Sequence, residues 1–126
     1  MNKDTIQCDI TVIGAGMAGM AATLFAVNRN LSTAQVGSTS EVGFASGLFD
    51  LLGIHPIGER RRWDDPWAGI ETLVQDIHNH PYARVKMAEI KAAFEELLVF
   101  FQDVGLSYFR DLNRNVNVIT PLGTLK

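Results

Sequence analysis

The fold of this chain is decided by residues 8–30, which read CDITVIGAGMAGMAATLFAVNRN. The first part of this stretch holds Ile10, Val12 and Ile13, a short apolar run that is typical of a buried parallel strand. The last part carries apolar side chains at helical spacing, from Met17 to Val27. Between the two lies the pattern G-x-G-x-x-G. The stretch therefore predicts a strand, a glycine-rich turn and a helix, in that order.

Each of the three glycines has its own physical reason in a nucleotide-binding turn. Gly14 lets the backbone turn sharply out of the strand, Gly16 lets it approach a phosphate, and Gly19 lets the helix lie close to the strand. The first amides of the helix, backed by the helix dipole, then face the anion. The alternative is a tight strand-helix turn without a ligand, in which small residues only serve close packing. We predict that six consecutive residues bind the cofactor: Gly14, Ala15, Gly16, Met17, Ala18 and Gly19.

A second parallel strand is predicted from Ser32 to Gly37, which completes a β-α-β unit. In a dinucleotide site the end of this strand carries an Asp or Glu that binds the adenosine ribose. Residues 36–38 are Val, Gly and Ser instead, and the nearest acid is Glu41. Apart from Glu41, only the hydroxyls of residues 38–40 could replace that acid. The adenosine half of a dinucleotide therefore lacks its usual partner, which is evidence against an NAD-linked dehydrogenase.

The loop that follows, residues 43–52, reads GFASGLFDLL and has two interpretations. Its glycines and Ser46 allow the backbone to approach a planar ring or a phosphate, so the loop could form a second wall of the same site. Alternatively, the loop is an ordinary turn in which Ser46 caps a helix and the leucines belong to the core. The pattern leaves both alternatives open.

The rest of the chain is predicted to be mainly helical. Asp65 and Pro66 have the pattern of a helix start, and an apolar face follows as far as His78. A longer helix with a core-facing apolar stripe is predicted from Ala83 to Val104, and Gly105 is its predicted stop. Residues 108 and 109 are the candidate start of a further strand.

We predict an α/β fold in two segments of one larger domain. Residues 1–53 form a β-α-β nucleotide- or flavin-binding unit, and residues 54–126 form a mainly helical insertion. A complete doubly wound sheet needs more alternating strands and helices than this chain offers. We therefore expect the chain to be the N-terminal portion of a longer protein.

Composition and charge disfavour several other classes of function. The chain has 126 residues, 47% of them apolar, and a formal net charge of -3, so we expect a globular protein that does not bind nucleic acid. The run of arginines at residues 60–62 is followed by two aspartates and is interpreted as a solvated loop. The single Cys8 suits a reducing cytoplasm, and no stretch has the pattern of a signal peptide or a membrane span. His78 and His80 lack the spacing of a metal pair, so we predict no metal site.

Four separated motifs together resemble a known family. They are GAGMAG at residues 14–19, SGLFDLL at 46–52, HPY at 80–82 and TPLGTLK at 120–126. Their order and approximate spacing are similar to those in the B subunit of anaerobic glycerol-3-phosphate dehydrogenase. The resemblance implies the N-terminal portion of a Rossmann-like FAD/NAD(P)-binding flavoprotein fold, followed by a helical segment.

The resemblance also implies a function. It implies a flavin-binding oxidoreductase subunit of a complex that oxidises glycerol 3-phosphate to dihydroxyacetone phosphate and passes the electrons to the quinone pool, in anaerobic respiration. It implies FMN as the cofactor, with FAD as the alternative, bound by residues 14–19 and by Ser46 and Gly47. No catalytic residue can be carried over.

The implied partners are a flavin-bearing A subunit and a membrane-associated iron-sulfur C subunit. The chain would then be cytoplasmic and would associate with the inner membrane only peripherally, through a partner. The alternative to catalysis is a non-catalytic electron-relay or assembly subunit with a vestigial nucleotide fold.

Overall fold

The structure is a computed structural model, and it describes residues 5–38, 48–111, 113–120 and 122–126. The chain divides into two compact units, Met1–Leu48 and Phe49–Lys126. This division lies a few residues before the predicted one, which followed residue 53.

The first unit is a β-α-β unit. It consists of strand β1 (Ile10–Ile13), helix α1 (Met17–Asn28) and strand β2 (Thr33–Val36). The two strands pair in parallel, with Ile10 opposite Thr33 and Ile13 opposite Val36. The predicted order of strand, glycine-rich turn, helix and second strand is thus confirmed.

The prediction that β1 is buried is wrong for the part of the chain that the structure describes. Ile13 is 88% exposed and Val36, its partner in β2, is 62% exposed. The reason is that β1 and β2 form a sheet of only two strands, whereas a parallel strand is buried when helices cover both faces of its sheet.

The start of the sheet is fastened by a side chain. Ser32 donates hydrogen bonds from its hydroxyl (2.7 Å) and from its backbone N–H (2.8 Å) to Oδ2 of Asp9. These bonds stabilise the carboxylate and lower the pKa of Asp9 below its usual value. The turn from α1 into β2 is made by Asn30, whose φ of +58° lies in the left-handed region that asparagine tolerates.

The second unit contains helix α2 (Pro66–Asp76), a short 3-10 helix (Pro81–Arg84) and helix α3 (Met87–Asp103). The predicted cap of α2 is confirmed, because Oδ1 of Asp65 accepts hydrogen bonds from the backbone N–H of Trp67 (2.8 Å) and Ala68 (3.2 Å). The core of this unit includes Ile70, which is 1% exposed. The helix ends at Asp76, two residues short of the predicted His78.

The predicted start of α3 at Ala83 is wrong. Pro81 begins a separate 3-10 helix, and Val85 then has extended backbone angles, φ −129° and ψ +134°, which interrupt the helical path. Helix α3 begins only at Met87, where Oε2 of Glu89 accepts a hydrogen bond from the backbone N–H of Lys86 at 3.0 Å.

The predicted stop of α3 at Gly105 is confirmed by its φ of +84°. The apolar stripe of the helix packs into an aromatic cluster, which confirms its core role. Phe49 lies 5.8 Å from Phe94 and 5.9 Å from Phe101 between ring centroids, and Tyr108 stacks on Phe101 at 5.3 Å. Tyr108 thus belongs to this cluster, and the described residues around it form no strand.

The arginine run lies on a hairpin-like loop with Ile54 bridged to Arg62. All three arginines are exposed, and the guanidinium of Arg61 stacks on the Trp63 ring at 4.1 Å. Among the residues that the structure describes, no helix combines the length and apolar character needed to cross a bilayer.

Candidate functional site

The glycine loop leaves β1 through a sharp turn that only glycine adopts without strain. Gly14 has a φ of +122°, and its backbone N–H donates a 2.7 Å hydrogen bond to the carbonyl oxygen of Val36 at the end of β2. The first glycine therefore both turns the chain and fastens the loop to the second strand.

Two other glycines are required by space. A Cβ on Gly19 would overlap the carbonyl oxygen of Gly14, so the third glycine of the pattern lets α1 approach the loop as predicted. A Cβ on Gly37 would lie 2.6 Å from the backbone nitrogen of Ala15 and 2.8 Å from the carbonyl carbon of Gly14. The end of β2 is thus packed directly against the loop backbone.

The first turn of α1 carries no competing charge or cap. Gly16 is the N-cap residue, no side chain caps it, and the first turn contains no acidic residue. The first intrahelical bond runs from the N–H of Met20 to the carbonyl oxygen of Gly16, at 3.0 Å. The first N–H groups of a helix have no partners within the helix, and the helix dipole favours an anion beside them. The loop is therefore chemically suited to a phosphate.

The structure brings six of the eight predicted cofactor residues into one loop and helix start. Ala15 is buried at 7% exposure, Ala18 is exposed, and the remaining four are half-buried. The other two predicted residues, Ser46 and Gly47, lie outside the described residues, as does Glu41. The alternative in which Ser46 caps a helix also lies outside the described residues, and residues 48–53 are not helical.

Sequence reasoning missed two residues of this site, Gln35 and Gly37. The Nε2 atom of Gln35 donates a 3.0 Å hydrogen bond to the carbonyl oxygen of Gly14. Gly37 occupies the position at which an acid was expected. No local sequence signal could have found them, because Gln35 and Gly37 contact loop residues that lie more than 20 positions away in the chain.

In the second unit, residues 50–52 contact three side chains from distant parts of the chain. The hydroxyl of Tyr82 donates to the carbonyl oxygen of Leu51 (2.9 Å), and Nδ2 of Asn115 donates to that of Leu52 (2.8 Å). The ammonium group of Lys126 forms a 2.6 Å ion pair with Asp50. Burial raises the pKa of Tyr82, which keeps its hydroxyl protonated as a donor. Three motifs of the resemblance, SGLFDLL, HPY and TPLGTLK, therefore meet at residues 50–52.

All three histidines are in the second unit, and each has a local partner. Nε2 of His55, a residue only 8% exposed, lies 2.9 Å from Oδ2 of Asp76. Nδ1 of His78 lies 3.1 Å from the carbonyl oxygen of Val74, and Nδ1 of His80 accepts a hydrogen bond from the N–H of Tyr82. None of these contacts by itself assigns a catalytic role to a histidine.

Comparison with known families decides the class of this site. The family described as FAD binding domain matches residues 9–126, which include the whole glycine loop and both strands. The chain belongs to the FAD-binding domain family. The predicted α/β flavoprotein fold is thereby confirmed, and the glycine loop of this FAD-binding domain is part of a flavin-binding fold.

The relatives of this FAD-binding domain confirm the resemblance found from the four motifs. It is 32% identical over 123 positions to a Vibrio vulnificus protein named as the B subunit of anaerobic glycerol-3-phosphate dehydrogenase, covering 96% of this chain and 28% of the relative. It is 33% identical over 128 positions to the protein of that name from Aliivibrio fischeri, covering 100% of this chain and 27% of the relative. The chain thus spans little more than a quarter of these relatives. No solved structure matches it significantly.

The residues of this FAD-binding domain fit a flavin phosphate at the glycine loop, and at the end of β2 they offer no carboxylate for an adenosine ribose. At the phosphate end, the bare backbone of Gly14 and the uncapped start of α1 form a cradle that side chains would fill. At the end of β2, Gly37 stands where a carboxylate would bind an adenosine ribose. The family match supports a flavin, specifically FAD, and does not support FMN as the first choice.

Proposed function

We propose that this chain is the flavin-phosphate-binding part of an oxidoreductase subunit that acts on glycerol 3-phosphate. The observation that carries the proposal is the glycine loop, in which Gly14 turns the chain at positive φ and α1 begins without a side-chain cap. The support for the substrate is the name of the relatives, which are B subunits of anaerobic glycerol-3-phosphate dehydrogenase.

The proposed reaction is the oxidation of the secondary alcohol of glycerol 3-phosphate to the ketone of dihydroxyacetone phosphate. This oxidation releases two electrons and two protons, and a bound flavin supplies a two-electron acceptor. The electrons then pass to the quinone pool. In this scheme the chain's own residues hold the phosphate of the flavin: the amides at the start of α1 donate to it, and Gly14 keeps side chains away from it.

We propose FAD as the flavin, with FMN as the competing identity. The match to an FAD-binding family favours FAD. The absence of a carboxylate at residues 36–38 favours FMN, because FMN has no adenosine ribose to bind. Mass spectrometry of the flavin released from the intact protein distinguishes the two directly.

The proposed partners are a flavin-bearing A subunit and a membrane-associated iron-sulfur C subunit. Their support is the word "subunit" in the names of the relatives, which implies a complex. We propose that the protein reaches the inner membrane peripherally through such a partner and otherwise resides in the cytoplasm. Fractionation with and without the partner subunits tests this: the protein should leave the membrane fraction when they are absent.

The test of the proposed function is the flavin content of the intact protein purified with its partners. The preparation should show flavin absorbance, which should bleach when glycerol 3-phosphate is added without oxygen. Gly16→Asp should abolish flavin retention, because a carboxylate would stand at the start of α1 where the phosphate binds. Gly58→Asp is the matched control, since a Cβ on Gly58 meets no atom within 4 Å.

Two results would overturn this proposal. One is a colourless intact protein that neither FAD nor FMN reconstitutes. The other is retention of flavin by Gly16→Asp at the level of the Gly58→Asp control, which would reject the glycine loop as the phosphate site.

A second candidate is a non-catalytic electron-relay or assembly subunit. It stays a candidate because no residue in the described part of the chain is assigned as the base that takes the substrate proton. If the Gly16→Asp complex loses its flavin and still turns over glycerol 3-phosphate at the wild-type rate, the assembly role is the correct one. If turnover requires this flavin but substrate fails to bleach it with the A subunit absent, the relay role is correct.

A further inference from the structure

Gln35 contacts the glycine loop through its side chain, and the proposed function gives this residue no role. It lies in β2 opposite Val12, and its Nε2 donates a 3.0 Å hydrogen bond to the carbonyl oxygen of Gly14. The same nitrogen lies 3.6 Å from the position that a Cβ on Gly19 would occupy. One side chain therefore reaches both the first and the third glycine of the loop.

The hydrogen bond orients a whole peptide group. The peptide between Gly14 and Ala15 is planar, so fixing the direction of its carbonyl also fixes the direction of its N–H. Gly14 adopts a φ of +122°, and glycine places little restraint of its own on the backbone beside it. Restraint on this peptide therefore comes partly from its contacts, and Gln35 supplies one of them from the neighbouring strand.

The bond also explains which end of the side chain faces the loop. The partner is a carbonyl oxygen, which only accepts, so the NH2 end of the amide must face it. A carboxylate at this position would have no proton to donate and would face the Gly14 oxygen with like charge. The site therefore selects a donor, and Gln35→Glu tests this selection because a carboxyl group can donate only when it is protonated.

We propose that Gln35 is a positioning residue for the flavin phosphate: its amide locks the Gly14–Ala15 peptide and so preorganises the loop backbone. This inference rests on the proposed function. Preorganisation raises affinity because less ordering remains to be done on binding. Gln35 acts through the loop and requires no contact with the flavin.

The test measures the flavin dissociation constant of the intact protein by titration of flavin fluorescence. Gln35→Met keeps the length of the side chain and removes the donor, so binding should weaken about fivefold, as expected for one neutral hydrogen bond. The matched control is Gln75→Met, on the exposed face of α2, which should leave the dissociation constant unchanged.

Gln35→Glu supplies a readout that a purely structural role would not move. At about pH 8 its carboxylate repels the Gly14 oxygen, whereas at about pH 5 a growing fraction is protonated and can donate. The ratio of its dissociation constant to that of Gln35→Met should therefore fall as the pH is lowered. Should Gln35→Met fail to fold, the same comparison is made against the wild type.

The outcomes separate this inference from the proposed function. If the wild-type protein binds neither FAD nor FMN, the proposed function fails. If the wild type binds flavin, Gln35→Met binds within twofold of it, and the ratio for Gln35→Glu is independent of pH, then flavin binding stands and the positioning role of Gln35 is overturned.

Discussion

Gly37 packs so closely against the glycine loop that an added methyl group should disturb the fold. In Gly37→Ala the new methyl carbon would lie 2.6 Å from the nitrogen of Ala15, 2.8 Å from the carbonyl carbon of Gly14 and 2.9 Å from Cβ of Ala15. Nonbonded heavy atoms reach their optimal contact at about 3.5–4.0 Å, so all three contacts are too short. Two of the three atoms belong to the backbone, which cannot rotate away as a side chain could.

We expect the cost to appear in both stability and binding. Overpacking of this kind costs about 1–3 kcal/mol. Replacing glycine by alanine also restricts the unfolded chain, which returns about 0.4–1 kcal/mol. The free energy of unfolding should therefore fall by about 1–2 kcal/mol. Because relief of the contacts must displace the glycine loop, the flavin dissociation constant should rise as well.

The assay is urea unfolding of the intact protein, followed by flavin titration, with Gly53→Ala as the matched control. A Cβ on Gly53 meets no heavy atom within 4 Å, so the same substitution adds a methyl group in open space. The control should be neutral or slightly stabilising. If Gly37→Ala is as stable as Gly53→Ala and binds flavin equally well, the close approach of β2 to the loop is refuted.

Three further predictions concern side chains that form hydrogen bonds. Asp65→Ala should destabilise the second unit by about 1 kcal/mol through loss of the α2 cap, measured by urea unfolding against Asp64→Ala. Tyr82→Phe should lower the free energy of unfolding by about 1 kcal/mol, because it removes the hydrogen bond to Leu51. Burial raises the pKa of Tyr82, so the contribution of its hydroxyl to stability is present below pH 10.0 and is lost as the pH rises through the folded-state pKa. The pKa of Asp9 is lowered, so the contribution of its carboxylate to stability is present above about pH 3.8 and is lost as the pH falls through the folded-state pKa. Asp9→Asn should therefore reduce the loss of stability at low pH when unfolding is measured at a series of pH values. An unchanged loss at low pH would contradict this prediction.

The local elements of the fold could be predicted from the sequence because their determinants are neighbours in the chain. The strand run before Gly14, the cap at Asp65 and the stop at Gly105 each depend on a few consecutive residues. The start of α3 could not be predicted in the same way. The apolar spacing extends back to Ala83, but Pro81 starts a separate 3-10 helix and Val85 is extended, so the periodicity alone overextends the helix.

The details of the site depend on contacts between distant residues. The expectation of an acid after β2 treated Gly37 as a missing partner, whereas the structure requires its small size against Ala15. Gln35 gave no motif signal, because its bond to Gly14 joins residues 21 positions apart. The two could be found only after the register of β1 and β2 was known.

The motifs that carry the resemblance also depend on contacts between distant residues. SGLFDLL, HPY and TPLGTLK each contain a polar side chain, and in the described residues Asp50, Tyr82 and Lys126 join the motifs to one another. The ion pair of Asp50 with Lys126 and the bond of Tyr82 to Leu51 span 76 and 31 positions, so each motif needs the others to keep its place. This mutual support gives a structural reason for the three motifs to occur together.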